Sequence, residues 1–197
     1  MHALDKKLTR DFRRLWMQAL AIALVLACGV AILLTAFGMY RALDETRRAY
    51  YERNRFADVF VQARRVPESL LPELRAIPGV QMLEPGIVGN AILDLPDRVA
   101  TAVGHIIALP ANNVHQLNVP LLQSGRYPEP SSNFDVLVNE PFARAHGYLP
   151  GDTISINLNG QKRALRITGT VQSPEFIYTI GPGALMPDNA GYGIIWM

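Results

Sequence analysis

Four histidines, one cysteine and scattered carboxylates are the side chains of this 197-residue chain best suited to chemistry. A zinc site needs Cys and His at short, fixed spacings. His2, His105, His115 and His146 stand far apart, and Cys28 lies in an uncharged apolar run, so no metal set is legible. His105, inside its own apolar run, reads as a strand residue rather than a ligand. Asp94 with Asp97, or Asp135 with Glu140, are close enough in sequence for acid–base work. Each pair falls at a turn or strand edge, where solvated carboxylates are the norm. There is no G-x-x-x-x-G-K-[ST] loop to cradle nucleotide phosphates and no G-x-S-x-G nucleophile elbow. The expectation is a non-enzyme with no catalytic residue, no metal and no cofactor of its own. A formal net charge of +2 is too weak to argue for nucleic acid.

The element that holds Cys28 is more informative. Residues 15–40 read LWMQALAIALVLACGVAILLTAFGMY and contain no charge. A bilayer core needs about 20 residues as a helix, and in hydrocarbon the helix satisfies every backbone polar group internally. Trp16 and Tyr40 suit the two interfaces as anchors. A cleavable signal peptide ending near Ala36-Phe37-Gly38, a lipoprotein signal at Val25-Leu26-Ala27-Cys28 and a buried core helix are the alternatives. The apolar run is long for the first, whose apolar region spans roughly 7–15 residues. It continues apolar past Cys28, which disfavours the second, and its length with charged flanks disfavours the third. Ala19, Ala23, Ala27, Ala31 and Thr35 recur every fourth residue and share one ridge. Small residues in that register let a second helix approach closely in lipid. The only cysteine lies in this segment, so the rest of the chain forms no internal disulfide.

Residues 1–14 are basic, with Lys6, Lys7, Arg10, Arg13 and Arg14, and Leu4, Leu8, Phe12 and Leu15 fall at helical spacing. They read as an amphipathic segment on an anionic cytoplasmic membrane surface, or else as a basic tail that sets topology. Five arginines also follow the apolar run (Arg41, Arg47, Arg48, Arg53, Arg55), so charge alone does not orient it. A 14-residue tail makes a poor exported domain, which puts the N-terminus inside and residues 56–197 outside. Residues 41–55, without Gly or Pro, read as a helical stalk.

The remainder mixes short strands and helices. Phe56–Val61, Ile87–Leu95, Val99–Leu109, Phe134–Val138, Thr153–Leu158, Ala164–Val171 and Tyr192–Met197 read as strands. Pro67–Ile77 and Pro141–His146 read as helices, 110–133 as loop, Pro96-Asp97 as a turn and Asn159-Gly160 as a hairpin turn. The predicted fold class is α+β: one transmembrane helix with a stalk, then a mixed α/β domain with mostly antiparallel strands. The closing run YGIIWM is apolar with no polar tail after it, as expected of a domain that is incomplete at its C-terminus.

Several stretches carry a resemblance: LRAIPGVQMLEP, LLQSGRYPEP and, best, VLVNEPFARAHGYLPGDTISINLNGQKRALRITGTVQSPEFIY. Together with the order of parts they make the chain similar to permease subunits of MacB/FtsX-like ABC transporters, with a MacB-like periplasmic core domain. The resemblance spans nearly the whole chain, and its motifs are structural rather than catalytic. It implies a subunit of the cell inner membrane that pairs with itself or another permease. It also implies a separate cytoplasmic ABC ATPase that uses ATP and Mg, with the stalk carrying movement to a periplasmic or extracellular domain for export or extraction of a substrate. Family members carry further membrane helices after this domain, which are absent here. The alternative is a single-pass, membrane-anchored binding or adaptor module without transport.

Overall fold

The computed structural model describes residues 3–95, 101–110, 112–113 and 115–197. The chain divides into two compact units, Met1–Ala49 and Tyr50–Met197. The first unit is one helix, α1 (Ala3–Arg53), whose last residues belong to the second unit. Gly29 and Gly38 lie inside it without breaking it.

Helix α1 ends on a cap made without glycine. Arg55 takes a left-handed backbone, φ 48°. Its N–H donates to the Glu52 carbonyl at 3.1 Å, and the Phe56 N–H donates to the Tyr51 carbonyl at 3.0 Å. These two bonds define a Schellman end, which is usually completed by an apolar contact across it. Here the rings of Tyr51 and Phe56 supply that contact, with centroids 4.8 Å apart. A side chain in this region costs about 1–2 kcal/mol, against about 0.5–1 kcal/mol of extra chain entropy for glycine. Arg55→Gly is therefore expected to raise the stability of the second unit by roughly 0.5–1 kcal/mol, read as a higher urea midpoint with unchanged slope. The strand expected at Phe56–Val61 does not form. Phe56 is drawn into the cap and onto Phe60, with centroids 5.6 Å apart, while Val59 and Val61 are exposed.

In the second unit a 3₁₀ turn (Glu68–Leu70) and α2 (Leu71–Arg75) precede the strands. These are β1 (Val88–Asp94), β2 (Ala102–Ile107), β3 (Leu121–Gly125), β4 (Asp135–Asn139), β5 (Thr153–Leu158), β6 (Gln161–Gln172) and β7 (Tyr192–Trp196), with α3 (Glu140–His146) after β4. The sheet order is β3-β6-β4-β7-β2-β1-β5, and β5 also pairs with β6. That last pairing closes six strands into a barrel, with β3 attached outside the ring. The predicted α+β class is corrected by this closure. The domain is a sheet-dominated barrel of mixed pairing, because β4 runs parallel to β6 and β2 parallel to β7. The helices expected to layer against a sheet are minor, and α2 buries no residue.

Closure follows from where the apolar residues point. Ala91, Leu93, Ala102, Ile106, Val136, Val138, Ile154, Ile156, Leu165, Ile167 and Ile195, drawn from all six ring strands, join one buried cluster with Phe142 of α3. A small barrel is filled in this way by inward side chains. A second cluster (Leu137, Val171, Ile194, Trp196) covers the outer face of β4, β6 and β7, so β4 and β7 are buried on both sides. The β5–β6 hairpin turns on Asn159 and Gly160, both at positive φ (52° and 80°), as a two-residue primed turn requires. Strand β3, in the stretch expected as loop, pairs with β6 across a bulge and ends at Gly125. A Cβ at Gly125 would stand 2.8 Å from the Gly169 Cα and closer still to the Thr168 carbonyl, so only glycine fits there.

Candidate functional site

Among the described residues α1 is the one helix long and apolar enough to cross a membrane, and none of its apolar window is buried. Ala19, Ala23, Ala27, Ala31 and Thr35 lie along one ridge of it. Thr35 Oγ1 donates to the Ala31 carbonyl at 2.8 Å, so the only hydroxyl on the ridge is satisfied inside the helix. Trp16 and Tyr40 are exposed at the two ends of its uncharged run. Lys7, Arg10, Arg13 and Arg14 are exposed on its first turns. Lys6 lies in the same helix, with its side chain outside the described part. Past the apolar run, the Arg41 guanidinium sits 4.6 Å from the Phe37 ring centroid. Asp44 pairs with Arg47 at 2.8 Å and Arg48 at 3.0 Å, the i+3 and i+4 neighbours on an exposed face.

A polar cluster gathers at the start of the second unit, built on residues 115–119. Glu84 Oε2 accepts the backbone N–H groups of Gln116 at 2.7 Å and Leu117 at 2.6 Å. Glu84 Oε1 lies 2.6 Å from His115 Nδ1, and both side chains are largely buried. Asn118, at φ 49°, reaches in three directions. Its N–H donates to the Arg55 carbonyl at 3.0 Å, its Oδ1 accepts the Ala57 N–H at 2.9 Å, and its Nδ2 points to Glu175 Oε2 at 3.4 Å. The Val119 N–H donates to the Asn54 carbonyl at 2.9 Å. Burial pushes the Glu175 carboxyl above its ordinary range, and the nearby His115 pulls it part of the way back. His115 Nε2 is buried and meets no hydrogen-bond partner among the described residues. One short segment thus holds the capped end of α1, the stretch around Glu84 and the loop after β6.

Sequence reasoning missed this cluster, because Glu84 and His115 stand 31 positions apart with no motif joining them. The carboxylates it considered are engaged elsewhere. Arg166 grips the buried Asp135 with two hydrogen bonds, at 2.9 and 3.1 Å. Glu140 pairs with Arg144, and Asp94 with Lys162 on the barrel surface. Asp97, the Pro96-Asp97 turn and His2 lie outside the described residues. His105 Nδ1 meets Asn90 Oδ1 at 3.1 Å on neighbouring strands, and burial holds its imidazole below the ordinary value. His146 Nε2 lies 2.9 Å from the Ala190 carbonyl. Among the described residues no group of three His, Cys, Asp or Glu is placed to hold a metal ion.

No protein-family model and no curated protein matches the chain. Among solved structures it is similar to the extracellular domain of the noncanonic ABC-type transporter YknZ from Gram-positive bacteria, with 13% identity and a TM-score of 0.38. The match covers 66% of this chain and 60% of that one.

Proposed function

We propose that this chain is the anchoring helix and extracytoplasmic domain of an ABC transporter permease subunit. It acts in the cell membrane beside a separate cytoplasmic ATPase, and it pairs with a second copy or another permease. The observation that carries the reading is α1 itself. None of its 26 uncharged residues, 15–40, is buried, a surface that lipid covers and water does not. The same helix continues, charged, into a capped end tied to a closed barrel. The resemblance to MacB/FtsX-like permeases in Val136–Val171 supplies the class of partner. In this reading the alanine ridge faces another membrane helix, the basic first turns lie on the cytoplasmic leaflet, and the barrel works outside. The chain's own role is mechanical rather than catalytic, and ATP is used by the partner.

The test is a pull-down from native membranes with a tag on the N-terminus, read by mass spectrometry. Co-purification of an ABC ATPase is the expected result. Bait recovered without any ATPase would overturn the transporter reading and leave a membrane-anchored binding or adaptor module.

A further inference from the structure

We propose that the outer face of the barrel carries a binding groove for a neutral saccharide, floored by Ile92 and Val103 and rimmed by the side-chain amides of Asn90, Asn157 and Asn159. The groove has a volume of about 500 Å³ and lies across β5, β1 and β2, with the Asn159-Gly160 turn beside them. Clefts that hold small ligands span about 300–1,000 Å³. Strand register brings the residues together. Ile92 on β1 pairs with Asn157 on β5 and with Val103 on β2, and Asn90 pairs with His105. Every second side chain of a strand shares a face. Asn90 and Ile92 therefore stand together on the outside, while Ala91 and Leu93 fill the barrel. Asn157 is exposed next to the buried Ile156 in the same way.

The chemistry of the lining selects the ligand. No residue of the groove is charged. Asp94 and Lys162, on the strands beside it, pair with each other, so an ionic ligand finds no counter-charge here. His105 Nδ1 donates to Asn90 Oδ1 at 3.1 Å, since an amide oxygen can only accept. That bond orients the amide and turns the two protons of Asn90 Nδ2 to a ligand. Among the described residues the side chains of Asn157 and Asn159 make no hydrogen bond. Asn159 is explained by the turn it makes. Asn90 and Asn157 are not, because asparagine is depleted in strands and Thr or Val would serve an exposed sheet face better. An amide matches two adjacent hydroxyls, accepting from one and donating to the other. Amides on neighbouring strands, about 4.8 Å apart, reach opposite edges of one sugar ring. Its C–H face then lies on Val103 and on Ile92, which is 53% exposed. An extended peptide fits less well. Strands β1, β2 and β5 sit inside a closed ring, so they offer no free edge for an added strand. The groove belongs to the barrel alone and does not depend on the transporter reading.

The test is a titration of the full chain, labelled with nitrogen-15 at asparagine and held in lipid nanodiscs, followed through its side-chain amide resonances. The probes are two neutral tetrasaccharides, one of glucose and one of N-acetylglucosamine, and a blocked tetraalanine peptide. At least one saccharide is expected to shift the amides of Asn90, Asn157 and Asn159 saturably, with a Kd on the order of 1 mM. Asn157→Ala is expected to weaken that binding roughly three- to tenfold, the scale of one neutral hydrogen bond. Asn157 is exposed and bonded to nothing, so the change spares the fold, and the other asparagine resonances check this. Asn133→Ala, at an exposed asparagine outside the groove, should bind as the wild type does. No saturable shift by either saccharide at roughly tenfold that concentration overturns the proposal. So does binding that Asn157→Ala leaves unchanged, and so does a shift by the peptide alone, which would make the groove a peptide site.

Discussion

Replacing Val25 and Ile32 together with arginine is expected to strip the chain from the membrane. Both side chains lie near the middle of the apolar run and are exposed, at 72% and 70%. Each arginine at the centre of a spanning helix costs about 2.5–3.5 kcal/mol on insertion scales, so the pair costs roughly 5–7 kcal/mol. Wild-type chain should stay in the pellet after alkaline carbonate extraction, and the double variant should shift to the supernatant. Val25→Ile with Ile32→Leu keeps the apolar surface and should behave as wild type. The experiment separates lipid from water as the solvent of α1. Helix surface that faces water accepts arginine at little cost, so an unchanged distribution would remove the membrane assignment. The ridge, the basic first turns and the two aromatic ends would then lose their common explanation.

Phe142→Ala is expected to cost the barrel about 3–5 kcal/mol, the range for deleting a fully buried aromatic. The ring belongs to α3, yet it joins the cluster that fills the barrel. Strand β7 makes room for it: a Cβ at Gly193 would lie 3.0 Å from the ring. Gly193→Ala should therefore destabilise the wild type and be partly accommodated once the ring is gone. The double variant should cost less than the sum of the two single changes, by the roughly 0.5–3 kcal/mol typical of residues in contact. Urea unfolding of the full chain in detergent reads this through Trp196, which is buried. A Trp16→Phe background removes the other tryptophan. Additive costs would mean that Phe142 and Gly193 do not share a site.

Local elements with strong chemistry were legible from residues alone. Ile154 and Ile156 alternate with polar neighbours and Asn159-Gly160 tolerates positive φ, so the β5–β6 hairpin was readable to within a few residues. Pro141 in the first turn and Gly147 at φ 69° bracket α3 in the same way. Strand β3 carried no such signal. Its five residues lie among prolines, and only the pairing with β6 makes them a strand. The end of α1 misled for a related reason. Arg55 occupies a position that usually advertises itself as glycine, and the cap is recognisable only from its two hydrogen bonds and the Tyr51–Phe56 contact.

What the sequence determined by itself is the uncharged helix of residues 15–40 and the inward side of β5, where Ile154 and Ile156 alternate with polar neighbours. Both are local properties, set by side-chain polarity at a period of 3.6 or 2. Which strand lies beside which was decided only in three dimensions. Ladder hydrogen bonds run between backbones that are alike at every residue, so alternation names a face and not a neighbour. The parallel pairings β4–β6 and β2–β7, the closure through β5–β6, and the meetings of Glu84 with His115 and of Asn118 with Glu175 all depend on contacts between distant residues. They appear once burying the inward side chains of six strands in one space has closed the sheet on itself.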